Sequence, residues 1–170
     1  MTRPYRPAPP RRNVERPEQA EGAMATVQTI LNRKAQHEPA VFTVDDRATV
    51  RDAVVVMAER RIGGVPVLSG GTLTGIFTER DLLRRVVAQG RSPDDTCIAD
   101  VMTQPVVIAN PTTPLDECAA VMTSRRLRHL PIVVGETLVG MVTIGDVLAL
   151  RVAEQEVTIA ELNRYVFDVR

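Results

Sequence analysis

Gly75-Ile-Phe-Thr78-Glu-Arg-Asp81 and Gly140-Met-Val-Thr143-Ile-Gly-Asp146 are two copies of one pattern, Gly-x-x-Thr-x-x-Asp. Working outward from them, residues 41–83 align with residues 106–148 without a gap, and 13 of the 43 paired positions are identical. Typical amino-acid frequencies would give about two or three identities over that length. Most of the other positions keep their apolar character, so the chain contains an internal repeat.

Each copy of the repeat contains the same five segments of regular apolar spacing. Short β-branched runs predict strands, and apolar residues at i, i+3, i+4 and i+7 predict amphipathic helices. A pair of glycines between two β-branched runs predicts a hairpin turn. In the first copy these rules predict a strand at 41–44 and a helix whose apolar face spans residues 50–57 and whose helical region ends at Gly63-Gly64. They also predict a hairpin of strands 65–68 and 73–78, followed by a helix from residue 82.

The repeat predicts an α/β (α+β) fold. A three-stranded sheet in a unit of about 60 residues leaves one apolar face uncovered, so two such units in one chain should pack together around a pseudo-twofold axis. We therefore expect two tandem β-α-β-β-α units. The expected parts are a disordered Pro/Arg-rich tail (1–23), the first repeat (24–89), a linker with a short helix (90–105), the second repeat (106–152) and a C-terminal helical extension (153–170).

Composition argues against several classes of protein. The 170 residues include 21 Lys and Arg against 21 Asp and Glu, and this neutral balance argues against a nucleic-acid binder. Two cysteines and two histidines are too few for a disulfide framework or a metal centre. No apolar stretch approaches the length of a membrane span. The tail lacks the apolar core of a signal peptide, so we expect a cytoplasmic protein, with Met24 as an alternative start.

A threonine and an aspartate stand in each repeat where the last strand turns into a helix: Thr78 and Asp81, then Thr143 and Asp146. One interpretation is structural, because a threonine at the N-cap and a carboxylate three residues later form a capping box. The other is functional, since a helix N-terminus with a threonine hydroxyl binds phosphate oxygens and a carboxylate accepts hydrogen bonds from ribose hydroxyls. The two are compatible, and the doubled motif favours a nucleotide site.

The repeat resembles the cystathionine-β-synthase (CBS) domain family. The resemblance rests on the doubled Gly-x-x-Thr-x-x-Asp motif, on an apolar-Pro-apolar strand in each copy, and on Asp100-Val-Met-Thr103 before the second repeat. It covers about residues 25–152 and implies a stand-alone CBS domain pair that is not an enzyme. It also implies that the motif aspartates bind ribose and that the motif threonines lie near phosphate.

By the same resemblance, each repeat carries one ligand site. Arg128 and His129 would reach across the pair to the phosphates of the first site, unless they are solvated charges at a helix end. The second site would face Gly63 and Gly64 instead, without this cationic help, so we expect two unequal sites with more phosphate charge at the first. The residues expected to line an apolar cleft for the base, each also an ordinary core position, are Val41, Phe42 and Val65 in one site and Val106, Val107 and Leu130 in the other.

The expected function is that of a regulatory adenine-nucleotide sensor. AMP, ADP or ATP, the last with magnesium, would change the conformation of a homodimer and so the surface presented to a regulated protein partner. Adenine as the base and dimerisation through helical faces are implied by the resemblance. Two alternatives stay open: a structural interaction module whose ligand sites are vestigial, and a binder of S-adenosylmethionine or NAD-type ligands.

Overall fold

The computed structural model describes residues 25–36 and 41–167, with only the backbone at 161–163 and 165–167. The predicted disorder of residues 1–23 falls outside this part of the chain. The first half contains α1 (Val27–Ala35), β1 (Val44–Asp45), α2 (Val50–Arg60), β2 (Gly64–Ser69), β3 (Thr72–Thr78) and α3 (Glu79–Asp81). The second half contains α4 (Leu115–Ser124), β4 (His129–Val134), β5 (Thr137–Thr143) and α5 (Ile144–Phe167), and a short 3₁₀ helix, Ile98–Asp100, lies between the halves.

The first helix of the repeat begins with a capping box and ends without glycine. The Thr49 hydroxyl accepts a hydrogen bond from the Asp52 amide, and the Asp52 carboxylate accepts one from the Thr49 amide. At the other end Arg61 adopts the left-handed conformation, with φ of 53°. The prediction that Gly63-Gly64 ends this helix is therefore wrong. Arg61 makes the C-terminal turn, and Gly64 already belongs to β2.

The first strand is shorter than the predicted segment 41–44. β1 pairs in parallel with β2, and the first paired residues are Val44 and Val67. Pro66 precedes Val67 and has no N–H to donate, so the ladder begins beyond it. The second repeat behaves in the same way, because Ala109 forms a bridge to Ile132, the residue after the second proline. Residues 41–43 and 106–108 therefore form no strand.

The two repeats have separate cores, and each includes a short helix from elsewhere in the chain. Ile98, Val101 and Met102 are buried among the residues of the first repeat. Val27 and Ile30 of α1 are buried in the second repeat, although the expected first repeat (24–89) included this helix. This exchange ties the halves together, and the predicted pseudo-twofold α+β pair is confirmed.

The last helices of the two repeats differ. α3 has only three α-helical residues before it becomes a π-helix over Leu82–Val86 and a 3₁₀ helix over Val87–Gln89. α5 runs without interruption for 24 residues. The expected division between residues 152 and 153 therefore falls inside one continuous helix. Within the described residues no helix is both long and apolar enough to cross a membrane.

Candidate functional site

Both Gly-x-x-Thr-x-x-Asp motifs form the expected capping boxes. In the second repeat, Asp146 Oδ2 accepts hydrogen bonds from the Thr143 amide at 2.7 Å and the Thr143 hydroxyl at 2.8 Å. In the first repeat, Asp81 Oδ2 accepts the same two bonds from Thr78 at 3.0 and 2.6 Å. The structural interpretation of the motif is therefore correct for both copies. What differs is the space in front of each carboxylate.

The larger space is a cavity of about 590 Å³ between the two repeats. Its walls come from the end of α1, the segment before β1, the turn between α2 and β2, and strand β5. Among the residues named from the sequence, it brings together Val41, Phe42, Gly63, Gly64, His129 and Thr143. A Cβ on Gly63 would lie 3.3 Å from the His129 ring and one on Gly64 would lie 3.1 Å from Thr78 Cγ2, so a side chain at either position would need its neighbour to shift by a few tenths of an ångström.

Lys34 of α1 separates this cavity from the Asp146 carboxylate. Its ammonium donates a hydrogen bond to Asp146 Oδ2 at 3.0 Å and another to the Met141 carbonyl at 3.2 Å. Lys34 lines the cavity, and so does Arg61, whereas Asp146 lies behind the ammonium. The second site thus has cations that the repeat pattern did not predict. Lys34 is 112 residues from Asp146 and belongs to a helix outside the aligned repeat, so spacing gave no signal for it.

The smaller space, in front of Thr78 and Asp81, is a cavity of about 90 Å³ that Arg128 and His129 also line. Asp81 is buried, and its Oδ1 accepts a hydrogen bond from the Thr103 hydroxyl at 2.8 Å. The Thr103 backbone also exchanges two hydrogen bonds with Ile76 of β3, at 3.1 and 2.8 Å. The linker between the repeats therefore holds this site closed.

His129 lies between the two cavities and contributes to the walls of both. Burial lowers the pKa of its imidazole, and the neighbouring Arg128 guanidinium lowers it further. A neutral imidazole can both donate and accept a hydrogen bond. Arg128 is exposed, and it lines the smaller cavity only.

The family model of the CBS domain matches residues 37–88 and 98–153, one match for each repeat. The chain belongs to the CBS domain family. The two matches cover both Gly-x-x-Thr-x-x-Asp motifs, and the resemblance drawn from the sequence is confirmed. α1, with Lys34, and most of α5 lie outside the matched residues.

Relatives of this CBS pair include plant and bacterial proteins. The mitochondrial CBS domain-containing protein CBSX3 of Arabidopsis thaliana is 38% identical over 129 residues, which are 73% of this chain and 62% of that protein. The CBS domain-containing protein YhcV of Bacillus subtilis is 33% identical, over 72% of this chain and 87% of its own length. The chain thus spans less than two thirds of the Arabidopsis relative.

Solved structures support the same assignment. A protein with CBS domains from Burkholderia ambifaria superposes with a TM-score of 0.73 and is 40% identical, over 77% of this chain and 96% of its own. The CBS domain pair of protein MJ0100, in complex with 5′-methylthioadenosine and S-adenosyl-L-methionine, superposes with a TM-score of 0.68 at 24% identity. The superposition covers 78% of this chain and 99% of that one, and it shows that the two chains share a fold.

The apolar residues named for the base are divided between different parts of the CBS pair. Val41 and Phe42 line the larger cavity, and the Phe42 ring lies 4.4 Å from the Arg60 guanidinium carbon. Val65 and Leu130 are buried in the strands. The remaining two line grooves elsewhere, Val106 beside the β2–β3 hairpin and Val107 beside Cys118. The smaller cavity therefore receives no apolar wall from Val106, Val107 or Leu130. In the described part of the chain, no cluster of His, Cys, Asp and Glu could hold a metal ion.

Proposed function

We propose that this CBS pair is a non-catalytic regulatory module that binds one adenine nucleotide in the larger cavity. The observation that carries the proposal is the cavity of about 590 Å³ that is lined by Thr143, whose hydroxyl donates a hydrogen bond to Asp146 in the capping box. Small-molecule sites have volumes of about 300–1,000 Å³. Val41 and Phe42 supply apolar surface for a base, while the motif supplies a hydroxyl and a carboxylate for a ribose phosphate.

An adenosyl ligand is favoured by the relative of this fold that holds 5′-methylthioadenosine and S-adenosyl-L-methionine. A phosphate-bearing adenosyl ligand is favoured by the cations Lys34 and Arg61 in the cavity wall. AMP, ADP and ATP all satisfy both conditions, and magnesium would accompany ATP. The site of Thr78 and Asp81 is proposed as the weaker one, because a cavity of about 90 Å³ has to open before a nucleotide enters.

The proposed module acts as a homodimer. Two pairs of repeat-equivalent apolar side chains, Leu83 with Val87 and Leu148 with Val152, are 53–62% exposed on the helices that follow β3 and β5. Their equivalent placement on the two repeats gives a self-complementary surface, which an isologous dimer needs. Occupancy of the cavity, which lies between the repeats, would alter their mutual angle and so the surface offered to a regulated partner in the cytoplasm.

A thermal-unfolding panel tests the proposal. Nucleotide-free protein is heated with AMP, ADP, ATP, NAD or S-adenosylmethionine, each with and without magnesium. A ligand at a hundred times its Kd adds about 2.7 kcal/mol to the free energy of unfolding and raises the Tm by several degrees. We expect a selective rise with adenine nucleotides. No rise with any ligand would favour an interaction module with vestigial sites, and a rise with S-adenosylmethionine or NAD alone would assign the site to those ligands.

A further inference from the structure

One oxygen of the Asp146 carboxylate, Oδ2, is occupied in the structure by this chain's own groups. Oδ2 accepts hydrogen bonds from the Thr143 amide, from the Thr143 hydroxyl and from the Lys34 ammonium. The side chains of Lys34 and Asp146 are 27% and 23% exposed, so the ion pair is shielded from water on most sides. A ribose that approaches from the cavity meets the Lys34 ammonium before it meets the carboxylate.

We propose that Lys34 is a specificity-determining residue that selects ligands carrying an anionic group on the ribose. This inference rests on the proposed function and names the chemistry that the cavity accepts. The ribose hydroxyls take the place of the ammonium at Asp146, and the ammonium moves to the anionic group of the same ligand. An anionic nucleotide breaks the ion pair between Lys34 and Asp146 but offers the ammonium a new anionic partner. A neutral nucleoside breaks the same ion pair and leaves the Lys34 ammonium without a partner.

The other nitrogen-bearing side chains around the cavity are less suited than Lys34 to bind the anionic group of the ligand. His129 also lines the cavity, but burial and the neighbouring Arg128 guanidinium lower the pKa of its imidazole, which disfavours the cationic form. Arg61 lies at the exposed turn after α2, where water screens its charge. The lysine stem is flexible, and an ammonium can follow a phosphate through several geometries that a guanidinium fork cannot.

The first repeat lacks this exchange. There the Asp81 carboxylate accepts a hydrogen bond from the Thr103 hydroxyl, which is held in place by the backbone pairing of Thr103 with Ile76. The Arg85 guanidinium lies 3.7 Å from the same carboxylate, but it also donates hydrogen bonds to the Val101 and Met102 carbonyls, which keep it in place. A hydroxyl carries no charge to transfer to a phosphate. The nine-residue α1 extends far enough to bring a lysine over Asp146, whereas the short helix before Thr103 has only three residues. The selectivity for anionic ligands therefore belongs to the second site.

Calorimetric Kd values for AMP, adenosine and 5′-methylthioadenosine test the inference. The variant is Lys34→Met, which keeps most of the apolar stem, and the matched control is Arg33→Met, which removes an exposed cation from the neighbouring position of α1. We expect the intact protein to bind AMP at least about tenfold more tightly than either neutral nucleoside, as one charge-assisted hydrogen bond provides. In Lys34→Met we expect weaker binding of AMP but tighter binding of adenosine. Arg33→Met should keep the ratio of the intact protein.

The outcomes separate this inference from the proposed function. An unchanged ratio of AMP to adenosine affinity in Lys34→Met overturns the inference and leaves the nucleotide site standing. Equal loss for all three ligands also overturns it, because a purely structural lysine would give that result. If the intact protein binds none of the three and its Tm does not rise with ADP or ATP either, the proposed function falls and the inference falls with it. Lys34→Gln repeats the test should Lys34→Met unfold, and both are checked by thermal melting first.

Discussion

The glycine that opens each Gly-x-x-Thr-x-x-Asp motif is required by packing rather than by backbone conformation. A Cβ on Gly75 would overlap the Met102 side chain, with Cγ at 2.7 Å and Cε at 3.0 Å. A Cβ on Gly140 would overlap one methyl group of Leu31. Leu31 of α1 thus packs directly on the bare backbone of Gly140, and Met102, two residues after the short 3₁₀ helix, packs in the same way on Gly75. These contacts join each segment to its sheet.

We predict that Gly75→Ala destabilises the protein by about 1–3 kcal/mol, the usual cost of overpacking a core. Met102 is buried and three of its atoms lie in the way, so it has less freedom to move than the partly exposed Leu31. Gly140→Ala should therefore cost less. The measurement is the urea midpoint of each variant. Gly145→Ala is the control, because its Cβ would meet only Thr143 Oγ1 at 3.6 Å and a helical alanine adds up to about 1 kcal/mol.

His129 makes the stability of the protein depend on pH. Burial lowers its pKa in the folded state, Arg128 and Lys34 lower it as well, and Glu79 and Asp146 oppose them. In the unfolded chain the pKa of a histidine is about 6.5. As the pH falls below that value, the unfolded state takes up a proton that the folded state does not. The free energy of unfolding should therefore decrease from about pH 6.5 towards the folded-state pKa.

Urea unfolding between pH 5 and pH 8 measures this effect. We predict that His129→Gln removes the decrease in that window. A slope that survives in His129→Gln would assign the pH dependence to other groups. Above pH 7 the intact protein and His129→Gln should differ by a constant amount only, because both states of the chain then hold the imidazole uncharged.

At the scale of helices and strands, the apolar spacing predicted the elements of each repeat but not all of their ends. The hairpin turn was predictable, because Gly70 and Gly71 both adopt positive φ, at 57° and 92°. The start of β1 was not, because it depends on the parallel pairing with β2 beyond Pro66. The end of α2 was not either, since Arg61 adopts a left-handed conformation that arginine rarely takes.

The helices after β3 and β5 carry the proposed dimer surface. We predict that Leu148→Glu shifts a homodimer to the monomer in sedimentation equilibrium, because a carboxylate in an apolar interface loses its hydration without gaining a partner. Leu83→Glu, at the equivalent position of the first repeat, should have the same effect. Ile108→Glu replaces another side chain that is about half exposed, at 50%, outside these helices and is the control. A dimer that survives Leu148→Glu and Leu83→Glu, or a monomeric intact protein, would contradict this prediction.

At the scale of the whole molecule, the two repeats are similar in sequence but differ in the volume of the cavity beside each motif. The sequence predicted unequal sites from Arg128 and His129, which line the smaller cavity in the structure. The larger cavity instead depends on groups outside the repeat. α1 brings Lys34 to one carboxylate, and the linker brings Thr103 to the other. Neither contact was predictable, because each joins residues that no periodic spacing relates.

The central claim is that one nucleotide binds per chain, at the carboxylate of the second repeat. Isothermal titration of AMP into the intact protein, Asp146→Asn and Asp81→Asn measures this directly. Each variant weakens a capping box of the same design, and Asp81→Asn also disturbs the hydrogen bond from Thr103, so the control carries at least the structural damage of the test variant. We predict a stoichiometry of about one per chain, with binding weakened at least about tenfold in Asp146→Asn and unchanged in Asp81→Asn. Weakened binding in Asp81→Asn with retention in Asp146→Asn, or equal weakening in both, would contradict the account.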